Sequence, residues 1–414
     1  MSKRRVVITG LGCVTALAES ADELFAELCQ GKSGVSAIES FDASAFPVHF
    51  GGEIKSFDVT KYVDQRESKR MDRFSQFAMA AAIQAVNDSG LDFSKEDTSR
   101  IGVIVGTGIG GIKEIEDQHI RLLNKGPSKV SPFCVPRLMA NAAGGNIAIH
   151  YALRGPNFCV SSACASGNNA IGEAFRTIVC GRSDIIITGG SEAALTPIGL
   201  GSFCAARSLS TRNDAPPAAS RPFDRDRDGF VLSEGAGILI LEEQDHAKKR
   251  DANIYAELLG YGATDDGYHI TAPLPDGDGA AKTMELAMTD AGVEKDKIDY
   301  INAHGTGTEL NDIAESTAIK SVFGQYAYKI PVSSTKSSLG HLLGASGAVE
   351  LIVCVKVINE SAVPPTINLD NPDPRCDLKM NFVPLAAQQA KVNIAMSNSF
   401  GFGGHNASLV VGKV

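Results

Sequence analysis

The chain has 414 residues, 43% hydrophobic and 21% charged, with 39 Lys and Arg against 48 Asp and Glu for a formal net charge of −9. A chain this long and this apolar buries a large core without disulfides, which excludes wholesale disorder. The acidic balance argues against broad nucleic-acid or anionic-membrane binding, and no apolar run approaches the ~18 residues of a membrane span.

Strand-like and helix-like segments alternate along the chain, the pattern of an α/β fold. Residues 5–9 read as a buried strand that follows the first residues directly, without the apolar stretch and cleavage site of a secretory signal. The expectation is a cytoplasmic protein. Ser20-Ala-Asp-Glu23 has the spacing of a capping box and opens a helix that ends before Gly31. Residues 71–89 carry a helical pattern stopped near Gly90, and 101–105 form another buried strand. Further strands are expected at 184–189, 236–241, 254–259, 298–303, 392–397 and 407–411. Helices are expected at 166–180, 279–291, 309–321 and 345–358, and a long surface loop at 209–222. Ile104-Val-Gly-Thr-Gly108 and Asn302-Ala-His-Gly-Thr-Gly307 both leave a strand for a helical region. That echo allows two similar halves, 1–255 and 256–414.

Nine cysteines are scattered with no Cys-x-x-Cys pair, so zinc-ribbon and thioredoxin-like chemistry lack support. Cys164, in Val160-Ser-Ser-Ala-Cys-Ala-Ser-Gly, differs from the rest: it falls on a strand-to-helix turn among small residues. The positive end of the following helix is expected to lower its thiol pKa. His304 sits at a glycine-rich strand exit, where open α/β folds place chemistry. Lys336 and His341 share the loop Ser333-Ser-Thr-Lys-Ser-Ser-Leu-Gly-His, with Glu350 on the next helix able to pair with the lysine. Ser397-Asn-Ser-Phe-Gly-Phe402-Gly-Gly-His-Asn406 can form a mobile loop or offer backbone N–H groups to an oxyanion. Each of these has a plain reading when taken singly: a core cysteine, a loop histidine, a surface lysine, a hairpin turn.

Two motifs mislead. Gly10-Leu-Gly12 lacks the third glycine of a dinucleotide fingerprint, which is Thr15 here. Asp224-Arg-Asp-Arg-Asp-Gly229 lacks the glutamate of a calcium loop, since Gly235 stands at its position. Arg66, Lys69, Arg70 and Arg73 fall at helical spacing and form a basic face suited to an acidic partner.

One Cys, two His and one Lys on small-residue turns point to thioester chemistry. In this order the motifs resemble the β-ketoacyl-[acyl carrier protein] synthases of the type I/II group, most of all the synthase II branch of bacterial fatty acid synthesis. The likeness runs end to end, from Val-Val-Ile-Thr-Gly-Leu-Gly at 6–12 through the 221–237 stretch to the Gly-Phe-Gly-Gly run. The resemblance implies a thiolase-like fold of duplicated halves in five α-β-α-β-α layers, assembled as a homodimer. It implies that Cys164 is acylated by acyl-ACP, with the N–H groups of Cys164 and Phe402 as oxyanion hole. His304 and His341 then hold malonyl-ACP while CO2 leaves, and Lys336 tunes the field. By the same resemblance Thr306 and Thr308 bind the phosphopantetheine arm, Ile109 lines the acyl pocket, Phe402 forms a gate, and Phe400 and Gly403 also bind substrate. Arg66, Lys69, Arg70 and Arg207 meet the carrier protein. No metal or organic cofactor is implied for the chemistry, though a structural monovalent cation fits near Asn302, Glu350, Ser397 and Asn398. Asn169 and His405 replace the His and Thr usual at those places, which leaves acyl length open. A type II polyketide ketosynthase would share every catalytic residue. A non-catalytic chain-length factor would lack Cys164, a type III synthase would pair Cys and His with Asn, and a Cys–His hydrolase would not need both histidines and the lysine.

Overall fold

The structure is a computed structural model describing residues 4–414. Ten strands form its central sheet: β1 (Val6–Thr15), β2 (Ile101–Gly106), β3 (Asn157–Val160), β4 (Ile185–Glu192), β5 (Gly235–Glu243), β6 (Ala256–Asp265), β7 (Tyr300–Asn302), β8 (Val332–Ser333), β9 (Ile394–Gly401) and β10 (His405–Gly412). Their spatial order is β8-β7-β9-β10-β6-β1-β5-β4-β2-β3. Within β1 to β5, β5 pairs antiparallel with β1 and β4, while β2 pairs parallel with β4 and β3. From β6 onward the same order and polarity begin again: β10 is antiparallel to β6 and β9, and β7 is parallel to β9 and β8. The two sets meet edge to edge, where Val6 to Ile8 pair antiparallel with Leu258 to Ala256.

Eight helices matter for the site: α1 (Ala21–Cys29), α2 (Arg73–Ser89), α3 (Ile112–Lys125), α4 (Ala142–His150), α5 (Ser166–Val179), α6 (Asp278–Ala291), α7 (Glu309–Phe323) and α8 (Ser346–Glu360). Helices α5 and α8 contact each other and strands of both sets, so they form the middle layer. Helices α2 and α4 cover the outer face of the first set, and α6 with α7 covers the second. This gives five layers, α-β-α-β-α. Helix α8 shows why its sequence is so apolar: every residue from Ser346 to Ile358 is buried, because sheet lies on both sides of it.

The Gly10-Leu-Gly12 pair lies inside β1, which runs six residues beyond the expected end at Thr9. A Cβ on Gly10 would meet Ala85 O at 2.1 Å, and one on Gly12 would meet Ala81 O at 2.1 Å. These glycines let α2 press onto the strand; they hold no phosphate. Helices α3 and α4 were not legible in the sequence. Helix α3 buries Glu114 and Gln118 while exposing Ile115, Ile120, Leu122 and Leu123, the reverse of a core-facing pattern.

Candidate active site

Cys164 follows β3 through a tight turn and lies just before α5. Ala163 takes a left-handed φ of 49°, and Ser166 Oγ accepts the Ser162 N–H at 2.9 Å while donating to Ala163 O at 2.6 Å. The end of β9 presses on this turn from the other half. A Cβ on Gly401 would come within 2.9 Å of Ser162 O and 3.0 Å of Cys164 N, so only glycine permits the approach.

His341 Nε2 stands 3.0 Å from Cys164 Sγ. On the other side of the ring, Nδ1 accepts the Leu343 N–H at 3.3 Å and lies 2.9 Å from Ser346 Oγ. That assignment leaves the proton on Nε2, aimed into the site as a donor. His304 packs edge-on to His341, with ring centres 5.2 Å apart, and Phe230 and Phe400 close the aromatic walls. Burial drives both imidazoles well below the usual histidine range, and the Lys336 charge adds to it. They are neutral at physiological pH.

Lys336 is fully enclosed, and its Nζ donates to Glu350 across a short contact. The expected lowering of the Cys164 thiol pKa is overturned. Burial pushes it up to about 12, against opposing pulls from Lys336 and from the backbone N–H groups of Phe402 and Cys164. Desolvation of the thiolate outweighs these pulls in this site. The resting sulfur is therefore a thiol. Cys164, His304 and His341 each place a ligand-type atom within 4.8 Å of the others. The ammonium of Lys336, whose charge suppresses protonation of both imidazoles, equally opposes a dication there.

Two carboxylates that the sequence reading missed hold the loops. Glu315 on α7 accepts the N–H groups of His304 at 2.8 Å and Gly305 at 2.7 Å, and burial pushes its own pKa up to about 7. Glu192, at the end of β4, accepts from Gly108 N, Ile109 N, Thr107 Oγ1 and Gly344 N, tying the Ile109 loop to the loop after His341. A lone acid in the small-residue run Thr188-Gly-Gly-Ser-Glu192-Ala-Ala was the available signal.

A cavity of about 760 Å³ opens onto Cys164. Ile109, Thr306, Thr308, Phe400, Phe402 and Arg207 all line it, together with both histidines. Thr306 and Thr308 face each other at 2.9 Å between hydroxyl oxygens. Gly403 is outside the lining; its N–H donates to Ile270 O at 2.7 Å and fixes the hairpin turn after Phe402. The basic stripe does not form one helical face. A four-residue helix ends at Ser68, and Arg73 turns inward to pair with Glu234 at 2.6 Å. Arg66, Lys69 and Arg70 lie outside the cavity, with Arg70 5.8 Å over the Phe133 ring.

Glu350 Oε2, Asn302 Oδ1 and Ser397 Oγ are buried without hydrogen-bond partners. Such hard oxygen donors fit a monovalent cation. Asn398 beside them accepts the Ser408 hydroxyl through Oδ1 and donates from Nδ2 to the Met284 sulfur. Asp224, from the misleading calcium-like run, is buried and accepts from Arg221 and from the N–H groups of Asp226 and Asn371.

A half-buried thiol beside two imidazoles whose basicity is suppressed by burial and Lys336 is poorly equipped to activate water, and well equipped to hold a carbonyl whose oxygen is gaining charge. On a duplicated five-layer fold, that marks a condensing acyltransferase. The chain belongs to the beta-ketoacyl synthase family: residues 3–247 match its N-terminal domain and residues 255–370 its C-terminal domain. It is 52% identical to 3-oxoacyl-[acyl-carrier-protein] synthase 2 of Synechocystis sp. over 413 residues, covering 100% of this chain and 99% of that one. Against the protein of the same name from Coxiella burnetii it is 49% identical, with 100% of both chains covered. Among solved structures, the ishigamide ketosynthase/chain length factor superposes with a TM-score of 0.93 at 36% identity, and 100% of both chains are covered. A type II polyketide acyl-carrier protein in complex with its ketosynthase gives 0.92 at 36%, again with 100% of both chains covered.

Proposed function

We propose that this chain is the elongating condensing enzyme of type II fatty acid synthesis, a β-ketoacyl-[acyl carrier protein] synthase II. The observation that carries the mechanism is the 3.0 Å contact between Cys164 Sγ and a His341 nitrogen whose opposite atom is already an acceptor. Cys164 attacks the thioester carbonyl of acyl-ACP, with the N–H groups of Cys164 and Phe402 taking the oxyanion. The C–S bond to the carrier breaks, and the thiol proton ends on the departing pantetheine sulfur. Malonyl-ACP then places its thioester oxygen between His304 and His341. Loss of CO2 leaves an enolate held by both donors, and its carbon attacks the acyl-Cys carbonyl. Collapse expels the Cys164 sulfur, which takes a proton from solvent, and releases β-ketoacyl-ACP.

Lys336 keeps both imidazoles neutral. Thr306 and Thr308 suit the amide groups of the pantetheine arm, Phe402 and Gly403 gate the cavity, and Arg207 at its rim with Arg66, Lys69 and Arg70 meets the acidic carrier. No cofactor takes part. A structural cation held near Asn302, Glu350, Ser397 and Asn398 would supply only fixed positive charge beside the lysine pair. We place the enzyme in the cytoplasm; among the described residues no helix is long and apolar enough to cross a membrane.

Intact-protein mass spectrometry tests the reading. Incubation with acyl-ACPs of graded length should yield one acyl adduct mapping to Cys164, and malonyl-ACP should discharge it as β-ketoacyl-ACP. No adduct at any length would defeat the proposal and bring a non-catalytic partner role forward. A polyketide role would show as extension of β-ketoacyl chains in preference to saturated ones.

A further inference from the structure

Outside the catalytic centre, a group of enclosed carboxylates lies where α2, α3 and the 134–138 turn of helix meet. Asp72 and Glu114 are each 2% exposed. Asp72 caps α2 by accepting the Phe74 N–H through one oxygen, and its second oxygen accepts the Glu114 N–H at 3.0 Å. Glu114, in the first turn of α3, pairs with Arg137 at 2.9 Å. One turn later Gln118 accepts the Ser131 N–H at 2.8 Å. Two carboxylates and one guanidinium thus join three segments, and the mechanism above uses none of them.

What they hold is the support of Ile109. The Gly110-Gly111 turn separates Ile109 from α3, and the Gly111 N–H donates to Leu138 O at 3.1 Å. A Cβ on Gly111 would stand 2.6 Å from the Leu138 Cα and 2.7 Å from Arg137 O. The turn therefore rests directly on the backbone of Arg137 and Leu138. On the other side, Glu192 grips the N–H groups of Gly108 and Ile109. Ile109 is seated between a fixed anchor at Glu192 and a support whose position depends on the Glu114–Arg137 pair.

We infer that the Glu114–Arg137 pair, seated on Asp72, is a specificity-determining device: it fixes the backbone behind Ile109 and so limits the length of acyl chain that Cys164 accepts. These are positioning residues, since none touches substrate. Loss of Arg137, whose side chain is 26% exposed, leaves the enclosed Glu114 carboxylate without its partner, and the segments the pair joins relax apart. Loosening the Arg137–Leu138 backbone frees the Gly110-Gly111 turn, and Ile109 yields to longer chains. Decarboxylation of malonyl-ACP has no acyl chain in the pocket and does not depend on this support.

The inference rests on the condensing-enzyme reading, and its test separates the two. In full-length Glu114→Gln, Arg137→Gln, the double variant and Arg137→Lys, the rates of Cys164 acylation are compared for a short and a long acyl-ACP. Thermal melting and malonyl-ACP decarboxylation are followed in parallel. The expected result is a shift of roughly fivefold in the long-to-short ratio for each single variant. The double variant should shift no further, Arg137→Lys should return toward the parent, and decarboxylation should hold. An unchanged ratio, or equal loss at all lengths together with lower melting, overturns the inference and leaves a purely structural ion pair. A parent enzyme that forms no acyl-Cys at all fails the condensing reading instead.

Discussion

At the scale of single residues, the site divides its labour between a sulfur that reacts and imidazoles that only hold. Cys164→Ala should lose acylation completely yet still decarboxylate malonyl-ACP, because that step needs His304 and His341 and no thiol; release of CO2 measured on the variant checks this. His304→Ala or His341→Ala should slow decarboxylation by about 10²–10³, the cost of one oxyanion donor. The pH profile follows from the sign of the shifts. Both histidines sit well below their ordinary range, so the neutral form persists as pH falls through ~6.5, where a free imidazole would charge. Decarboxylation should therefore be flat across that value, and an inflection there would contradict the assignment. The unfolded chain does take up those protons, so the contribution of the two histidines to stability is lost as pH drops through the same region. Cys164, His304, Lys336 and His341 were legible because each interrupts a glycine- or serine-rich turn. Glu192 and Glu315 were not, since a buried carboxylate declares itself only through backbone N–H partners, here 11 residues away for Glu315 and 84 for Glu192 with Gly108.

At the scale of elements, those hidden carboxylates make α7 and β4 into loop holders. Glu315→Leu would strip acceptors from two enclosed N–H groups and should cost about 2–6 kcal/mol, at roughly 1–3 for each orphaned donor. Glu315→Gln keeps one acceptor oxygen and should cost less. Chemical denaturation of the two variants reads the difference, and equal midpoints would show that the His304 loop does not depend on this carboxylate. The same scale explains what periodicity found and missed. Helices α2, α5, α6, α7 and α8 were read correctly because their apolar faces meet sheet. Helix α4, Ala-Ala-Gly-Gly-Asn-Ile-Ala-Ile-His, carries two glycines that weaken its signal. The 66–73 stripe failed for the opposite reason: spacing fitted one helix, but capping by Asp64 and Asp72 builds two.

At the scale of the whole molecule, the repeated strand order leaves in the sequence only an echo of a few residues at 104–108 and 302–307. What makes the halves one molecule, α5 and α8 packed between both strand sets, has no linear signature. The inverted polarity of α3 belongs here as well. Its outward Ile115 and Leu123 are 51% and 71% exposed, and Ile149 at the end of α4 is 80% exposed. Beside them β3 is the terminal strand of the sheet, with Phe158 42% exposed and one edge unpaired. An open edge flanked by apolar side chains is an aggregation hazard unless something covers it. A second copy of the chain would cover it with closure: a twofold axis setting β3 antiparallel to itself would let the two edges satisfy each other and leave no further edge at that end. Such a homodimer would also carry the apolar face of α3 out of water. The double variant Ile149→Lys with Phe158→Lys places like charges across that axis and should yield monomers in sedimentation equilibrium, while the parent sediments as a dimer. If the variant stays dimeric, the β3 edge is not the interface.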